Sequence, residues 1–427
     1  MTNFSSALRH VKEHLSELVP PEQVERICRE NGHRWRNRVL NPVSTIYLFV
    51  LQLLANVAMR ALRHVAQCDI SAQAICKAKM RLPLKVLIAL VRRSVPATDP
   101  PLWKGLQVYI ADGTSFKTAD KADLARRYGK ARNQRGPSEG YPTPKLLTLL
   151  HLAGGYIYQA ICLPAARQEY TCLSRLFKSI PAGVGLLLGD RGLVSFAHLA
   201  LMMKAGIHGC FRLPRGRVVY GRGTSCRWPI KQLGKQDMLV RWKASRRPTW
   251  MSKERWDKLA KELTLRQIAF RVCRRGFRPT WAWIVTTLLD PRRYPAEDLI
   301  KLYSQRWQIE VDFRDLKRTL GMWMMRAQTV AGVQKEVLVF VLLYNLVRQV
   351  MEQAALQQGV SANRISFVDA ADWLLWSSPG QEIPRLTVNP IRLRRSPARK
   401  LKEARHRFGQ LHGTRAETSK PVFYVKL

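Results

Sequence analysis

Hydrophobic and polar positions follow different rhythms in successive parts of this chain. As far as about residue 95, apolar residues return every three or four positions, the period of an amphipathic helix. That period predicts helices over Ser5–Leu18, Pro21–Asn31, Val43–Leu62, Ser71–Met80 and Leu84–Arg93, with Pro42 placed to open the third. From Leu106 the rhythm changes to short β-rich runs: Leu106–Ala111, Lys145–Ala153, Tyr156–Leu163, Val184–Leu188 and Gly209–Leu213. Gly154-Gly155 between two of these runs is a hairpin signal. Helical patterns interleave at Glu169–Ser179 and Phe196–Ala205, and the polar, basic stretch from Lys121 to Gly140 reads as a loop. Further β-like runs follow at Leu239–Trp242, Gln267–Val272 and Thr280–Leu288. From Ala296, just after Pro295, an uninterrupted helical pattern runs towards Gly321, and the chain is helical again beyond Val330. The alternation predicts an α/β protein.

Composition narrows the partner. The 427 residues suffice for two or three domains, and 46% hydrophobic residues can bury a substantial core. Lys and Arg number 72 against 30 acids, a net charge of +42. Such self-repulsion calls for a polyanionic partner. The excess is spread along the chain, which favours a nucleic-acid track over a membrane-anchoring tail. The 8 cysteines form no C-x-x-C and no His/Cys cluster, so they read as reduced, structural thiols of a cytosolic protein. The N-terminus lacks a signal-peptide pattern. Val43–Met59 is short for a membrane span and carries Gln52 and Asn56, and Val337–Val347 is shorter still, so no membrane segment is expected.

Residues 303–317 hold the densest candidate chemistry. A helix turns about 100° per residue, so with Tyr303 at zero, Arg306 falls at about −60°, Glu310 at about −20° and Lys317 at about −40°. One stripe then carries a phenol, a guanidinium, a carboxylate and an ammonium. Its ends are roughly 21 Å apart, too far to serve one atom. The pattern suits a carboxylate at a reaction centre flanked by donors that follow an anionic strand. It suits equally a solvated face with Glu310 and Arg314 paired across one turn. Asp112-Gly113-Thr114 closes one β-rich run and Gly189-Asp190-Arg191-Gly192 another, where a carboxylate can face a ligand outside the sheet. Alone, an Asp-Gly is usually a turn. Between Asp190 and Glu310 lie 119 residues, so residues 215–290 read as a β-rich insertion, with six tryptophans and 19 Lys/Arg against 5 acids. That mix suits stacking on unpaired bases beside phosphates, while a small β core would use most of the same tryptophans as filling. From Ile391 the tail has 11 Lys/Arg against 2 acids, fitting a DNA-binding, subunit-docking or merely solubilising role.

Tyr303, Arg306, Glu310 and Lys317 stand at the spacing Tyr-x2-Arg-x3-Glu-x6-Lys. In this the chain resembles the DDE transposases of bacterial insertion sequences, insertion-sequence family four. Glu336, Leu342-Leu343-Tyr344-Asn345-Leu346-Val347-Arg348 and Arg364-Ile365-Ser366-Phe367 are similar to the same family, as are the acidic motifs around Asp112 and Asp190. The similarity runs from about residue 70 to 395. The order strand, hairpin, helix, strand, helix, strand is that of an RNase H-like core, which would bring the two aspartates together.

The resemblance implies that Asp112, Asp190 and Glu310 are catalytic and hold metal, with Asp112 bridging. Oxygen-only ligands favour Mg²⁺ or Mn²⁺, two ions about 3.5–4 Å apart. Arg306 and Lys317 would neutralise phosphates, and Tyr303 would donate a hydrogen bond to one. Trp283, 20 residues before Tyr303, would stack on a base flipped from the DNA end, as in hairpin-forming relatives. Residues 70–83 resemble the family's N-terminal DNA-binding region, where Lys77, Lys79 and Arg81 would meet phosphates, unless this is a small bundle with a wet basic face. The expected organisation is a helical DNA-binding domain (1–98), an RNase H-like core (99–214 and 291–329), a β-rich insertion (215–290) and a helical C-terminal region with a basic tail (330–427). The expected function is cleavage of double-stranded DNA at terminal inverted repeats and joining of 3′-hydroxyls to target DNA. A homodimer would hold the paired ends, in the bacterial cytoplasm at the nucleoid. His33-Arg34-Trp35-Arg36 mimics a tyrosine-recombinase motif, but that class leaves Asp112 and Asp190 without a role. The alternative is a non-catalytic DNA-binding regulator derived from a transposase.

Overall fold

The β-rich runs assemble into one large sheet because most of them are apolar on both faces and need cover on both sides. The computed structural model describes residues 16, 18–36, 38–66, 69–96, 102–133, 136–214, 216, 227–244, 246–272, 279–377 and 380–390. Its strands are β1 (Gln107–Ser115), β2 (Lys130–Asn133), β3 (Gly136–Pro142), β4 (Lys145–His151), β5 (Ile157–Leu163), β6 (Gly185–Gly189), β7 (His208–Arg212), β8 (Arg227–Gly234), β9 (Asp237–Lys243), β10 (Glu262–Val272) and β11 (Thr280–Thr286). Nine of them form a mixed sheet in the order β5-β4-β1-β6-β7-β11-β10-β9-β8, and β2 with β3 makes a separate hairpin. The β1–β6 and β6–β7 pairs are parallel, and β1–β4, β4–β5 and β7–β11 are antiparallel.

Alternation along the strands divides the core into two layers. Val108, Ile110, Leu186 and Leu188 point to one face, and Tyr109, Ala111 and Leu187 to the other. The first face is covered by helices α1 (Pro21–Glu30), α2 (Pro42–Leu54) and α5 (Leu84–Arg93), and by residues 299–374. Between α2 and α5 lie α3 (Met59–Val65) and α4 (Ala72–Arg81). The second face is covered by 3-10 turns at Glu169–Arg175 and Phe177–Ser179, by α7 (Phe196–Lys204) and by α8 (Lys253–Asp257) with its Trp256, and Trp242 of β9 packs among them.

Three expected elements, over 43–62, 121–140 and 169–179, take a different form in the structure. Ser5–Leu18 lies almost wholly outside the described residues. The single helix expected over Val43–Leu62 is two, bent by 102°, because Asn56 adopts φ 53°, a left-handed conformation that asparagine tolerates. The loop expected at 121–140 contains helix α6 (Ala122–Tyr128) and the β2–β3 hairpin. Glu169–Ser179 winds as 3-10 rather than α-helix.

The insertion is not separate from the core sheet. β11 pairs with β7 through Val285 and Phe211, so β8–β11 extend the sheet that starts at β1. Buried Arg266 donates to Asp237 Oδ1 at 2.7 Å and to the Tyr294 carbonyl at 2.6 Å, tying these strands to the chain that enters the next helix, α9 (Ala296–Ser304). Described residues as far as Val388 belong to one compact unit. The longest helix, Val330–Gln358, is the one described helix long and apolar enough to cross a membrane, yet 78% of its apolar window is buried inside the fold.

Candidate functional site

Two aspartates meet because of strand register. Ala111 of β1 pairs in parallel with Gly189 of β6, so the next residues, Asp112 and Asp190, stand side by side. β1 continues past Asp112 as an antiparallel partner of β4, and the Thr148 hydroxyl donates to the Asp112 carbonyl at 3.3 Å. The Gly113 amide donates to Asp112 Oδ1 at 2.8 Å. A Cβ at Gly113 would lie 2.7 Å from Glu169 Oε1, so the glycine lets the Glu169 side chain pack against β1 here. Glu169 thus lies against Gly113 on the face of β1 opposite the Asp112 side chain.

The stretch expected as one regular helix is four pieces. After α9 comes a 3-10 turn at Gln305–Trp307, then a short α-helix, Gln308–Arg314, then a π-helical turn at Asp315–Thr319. Gly321, at φ 82°, ends the run. Tight and wide turns in succession break the uniform 100° step, and such irregular turns concentrate at functional sites. The expected stripe therefore divides. Tyr303 and Arg306 are buried at 4% and 5% exposure, Glu310 is exposed, and Lys317 is half-buried.

Turned inward, Arg306 reaches both aspartates. Its Nη1 donates to Asp112 Oδ2 at 3.1 Å, and its Nη2 lies 4.0 Å from Asp190 Oδ1. The guanidinium also lies over the rings of Tyr303 and Trp307, at 5.9 and 5.5 Å. Tyr303 donates its hydroxyl to the Gly189 carbonyl at 3.2 Å, and burial drives its pKa up. In this state its partner is the strand end next to Asp190, not a surface anion. Lys317 Nζ donates to Thr114 Oγ1 at 3.3 Å, which brings a second cation against β1.

Asp112 has a raised pKa, chiefly because it is buried; the Gly113 amide and Arg306 oppose the shift, and the charges of Asp190 and Glu310 add to it. Glu310 is therefore within electrostatic range of Asp112. Among the described residues, however, no three His, Cys, Asp or Glu side chains are gathered closely enough to hold one metal ion. Two carboxylates already sharing a cation, with a third on the facing helix, form an oxygen-only donor set of the kind that suits a hard divalent ion.

The other candidates part company. Lys77 and Arg81 are exposed on α4, but Lys79 is 7% exposed: its ammonium lies 3.7 Å from the Phe49 ring centre and bonds Gln52 Oε1. It cannot meet a phosphate from there, a correction to the expected basic face. Trp283 is half-buried and packs into the second core layer, while Trp281 is exposed beneath Arg271. Beyond the helix, Glu336 accepts the Ala327 amide at 2.8 Å and the Arg326 amide, pinning the turn after Gly321. Asn345 and Arg348 bond Ile157 and the Gly154 carbonyl, so that motif is structural. Asp312, one turn along from Gln308, is buried and pushed up to about 6 by its burial.

Residues 103–346 match the family model described as the transposase DDE domain. Over 404 residues the chain is 24% identical to the transposase InsG for insertion sequence element IS4 of Escherichia coli (strain K12), covering 89% of this chain and 87% of that protein. A shorter similarity, 30% over 79 residues, is to the putative transposase InsZ of the same strain, covering 18% of this chain and 26% of that one. Among solved structures, the piggyBac transposase synaptic complex with hairpin DNA overlaps with a TM-score of 0.45 at 9% identity, covering 88% of this chain and 78% of that chain.

Proposed function

This chain belongs to the transposase DDE domain family and is a DDE-type DNA transposase of the kind found in insertion sequence IS4, and from that premise we propose that Asp112, Asp190 and Glu310 are its catalytic carboxylates. The observation that carries the reading is the pairing of Asp112 and Asp190 at adjacent parallel strands, with Arg306 reaching both from the segment that carries Glu310. The reaction is cleavage of double-stranded DNA at terminal inverted repeats, followed by joining of the 3′-hydroxyl ends to target DNA. A homodimer on paired ends completes the proposal. The core strands and helices are read as RNase H-like, residues 1–98 as the DNA-binding region and 215–290 as an insertion, although β8–β11 extend the core sheet.

Asp112, Asp190 and Glu310 would hold divalent ions, Mg²⁺ or Mn²⁺, in a site of oxygen donors only. Two bound ions would polarise the attacking oxygen and stabilise the leaving 3′-oxygen of an in-line phosphodiester displacement. Arg306 keeps the two aspartates from repelling one another before ions arrive. Tyr303 fixes the end of β6, and with it Asp190, through the Gly189 carbonyl. Glu310, exposed on the outer side, is free to close on the aspartates, and Lys317 is placed to meet the phosphate backbone beside Thr114. Lys77 and Arg81 meet DNA further away, and Trp283 is retained as a candidate stacking residue for a base flipped from the DNA end.

The test is Mg²⁺-dependent nicking of a duplex that carries the repeats flanking this gene. A nick at the repeat boundary supports the enzyme. Tight binding without any nick would instead favour the non-catalytic regulator.

A further inference from the structure

Between α1 and α2, residues 33–36 are non-helical; Arg34, Arg36 and Arg38 are exposed while His33 and Trp35 are half-buried. These residues, with Arg81 at the end of α4 and Asn41, Pro42 and Thr45 at the start of α2, line a recess of about 470 Å³. Four guanidiniums therefore converge on one concavity from two separate parts of the chain. The nearby acids do not answer them: Glu25 is paired with Arg29 at 2.8 Å, and Glu30 with Arg26 and Arg93. His33 has a lowered pKa, through burial first and then the charge of Arg81, which puts that arginine close to it. The floor is fixed: Trp35 stacks on His33 at 5.9 Å and lies 5.5 Å below the Arg29 guanidinium. At the rim, α2 begins with Asn41 accepting the Ser44 amide, so the positive end of a 13-residue helix faces the same side.

We propose that this recess is a backbone clamp for duplex DNA, with Arg34, Arg36, Arg38 and Arg81 on phosphates and Trp35 as its rigid floor. The inference rests on the transposase reading for its choice of polyanion. Uncompensated arginines at this density destabilise a fold unless anions are supplied, and guanidiniums suit phosphate geometry. A second copy of this chain is a poor occupant, since it offers 30 acids against 72 basic residues. Phosphate contacts position DNA without reading its sequence. The clamp would therefore hold the transposon end and unrelated duplex alike.

The test is fluorescence polarisation of the full chain on two labelled duplexes, one carrying the flanking inverted repeat and one scrambled, across a salt series. Replacing Arg34, Arg36 and Arg38 by Ser lowers the slope of log affinity against log salt by roughly 2.7, about 0.9 per phosphate contact, equally for both duplexes. The corresponding Lys variant keeps the slope because it keeps the charge. The single changes Arg34→Ser and Arg36→Ser, each lowering the slope by about 0.9, serve if the triple variant does not fold. An unchanged slope in the Ser variants overturns the clamp. So does tighter, equally arginine-dependent binding of duplex RNA of the same sequence. Asp190→Asn, measured in parallel, keeps the wild-type slope whatever it does to nicking, so failure of the catalytic assignment and failure of the clamp are read separately.

Discussion

Arg306 stands between Asp112 and Asp190, with one guanidinium nitrogen 3.1 Å from the first carboxylate and the other 4.0 Å from the second. The chain thus supplies its own cation where two carboxylates converge. Removing it leaves the part-buried Asp112 facing like charges. Arg306→Ala is expected to lower stability at neutral pH by about 1–3 kcal/mol, a range reduced for the partial exposure of the aspartates. Addition of Mg²⁺ restores part of the loss. Urea unfolding with and without Mg²⁺ measures both. Equal stability in the two proteins, or a loss that Mg²⁺ does not touch, contradicts a shared cation site.

Tyr303 is expected to act through Gly189 and not on DNA directly. Tyr303→Phe removes one buried hydrogen bond, about 1 kcal/mol, and leaves Asp190 less firmly placed. Cleavage slows in single-turnover assays while DNA affinity holds. Weakened binding with an unchanged cleavage rate would return the hydroxyl to a phosphate.

Lys79 gives the fold a pH signature. Burial lowers its pKa to about 7, against an unfolded value of 10.5. Between those values the unfolded chain binds the extra proton, so stability rises with pH, by up to about 1.4 kcal/mol per unit. Below about 7 both states are protonated and the penalty for a buried ammonium is fully present. Lys79→Met should be more stable than wild type at pH 7 and should lose this slope up to pH 9. Parallel curves for the two proteins would show that the lysine stays charged in the fold.

Trp283 separates a core role from a stacking role. Trp283→Ala removes a half-buried ring from the second core layer and is expected to cost about 2 kcal/mol, whereas Trp281→Ala is close to neutral. If Trp283 also stacks on a flipped base, second-strand processing slows, the first nick is spared, and an abasic end restores the rate. Destabilisation with normal processing leaves it a core residue only.

The acids and the strands that carry them were legible because their signals are local: apolar runs that end in Asp-Gly or Gly-Asp, and a helix bearing four polar residues at fixed spacing. What the sequence hid depends on long-range packing. The inward turn of Arg306 follows from a 3-10 turn, which breaks the even helical step assumed for the stripe. Lys79 looks like its neighbours on α4, but α4 packs against α2, and only that packing buries its ammonium against Phe49 and Gln52. Likewise β11 joins β7 across some seventy intervening residues, so an apparent insertion continues the core sheet.

Three carboxylates carry the proposed chemistry. The most direct measurement is single-turnover cleavage of a repeat-bearing duplex in Mg²⁺ by Asp112→Asn, Asp190→Asn and Glu310→Gln, each with its DNA affinity determined alongside. The expected result is loss of cleavage by at least about three orders of magnitude, the scale of several kcal/mol of transition-state stabilisation, with affinity largely kept. Near-full cleavage by any one of the three would contradict the assignment of that residue, and near-full cleavage by Asp112→Asn or Asp190→Asn would contradict the site itself.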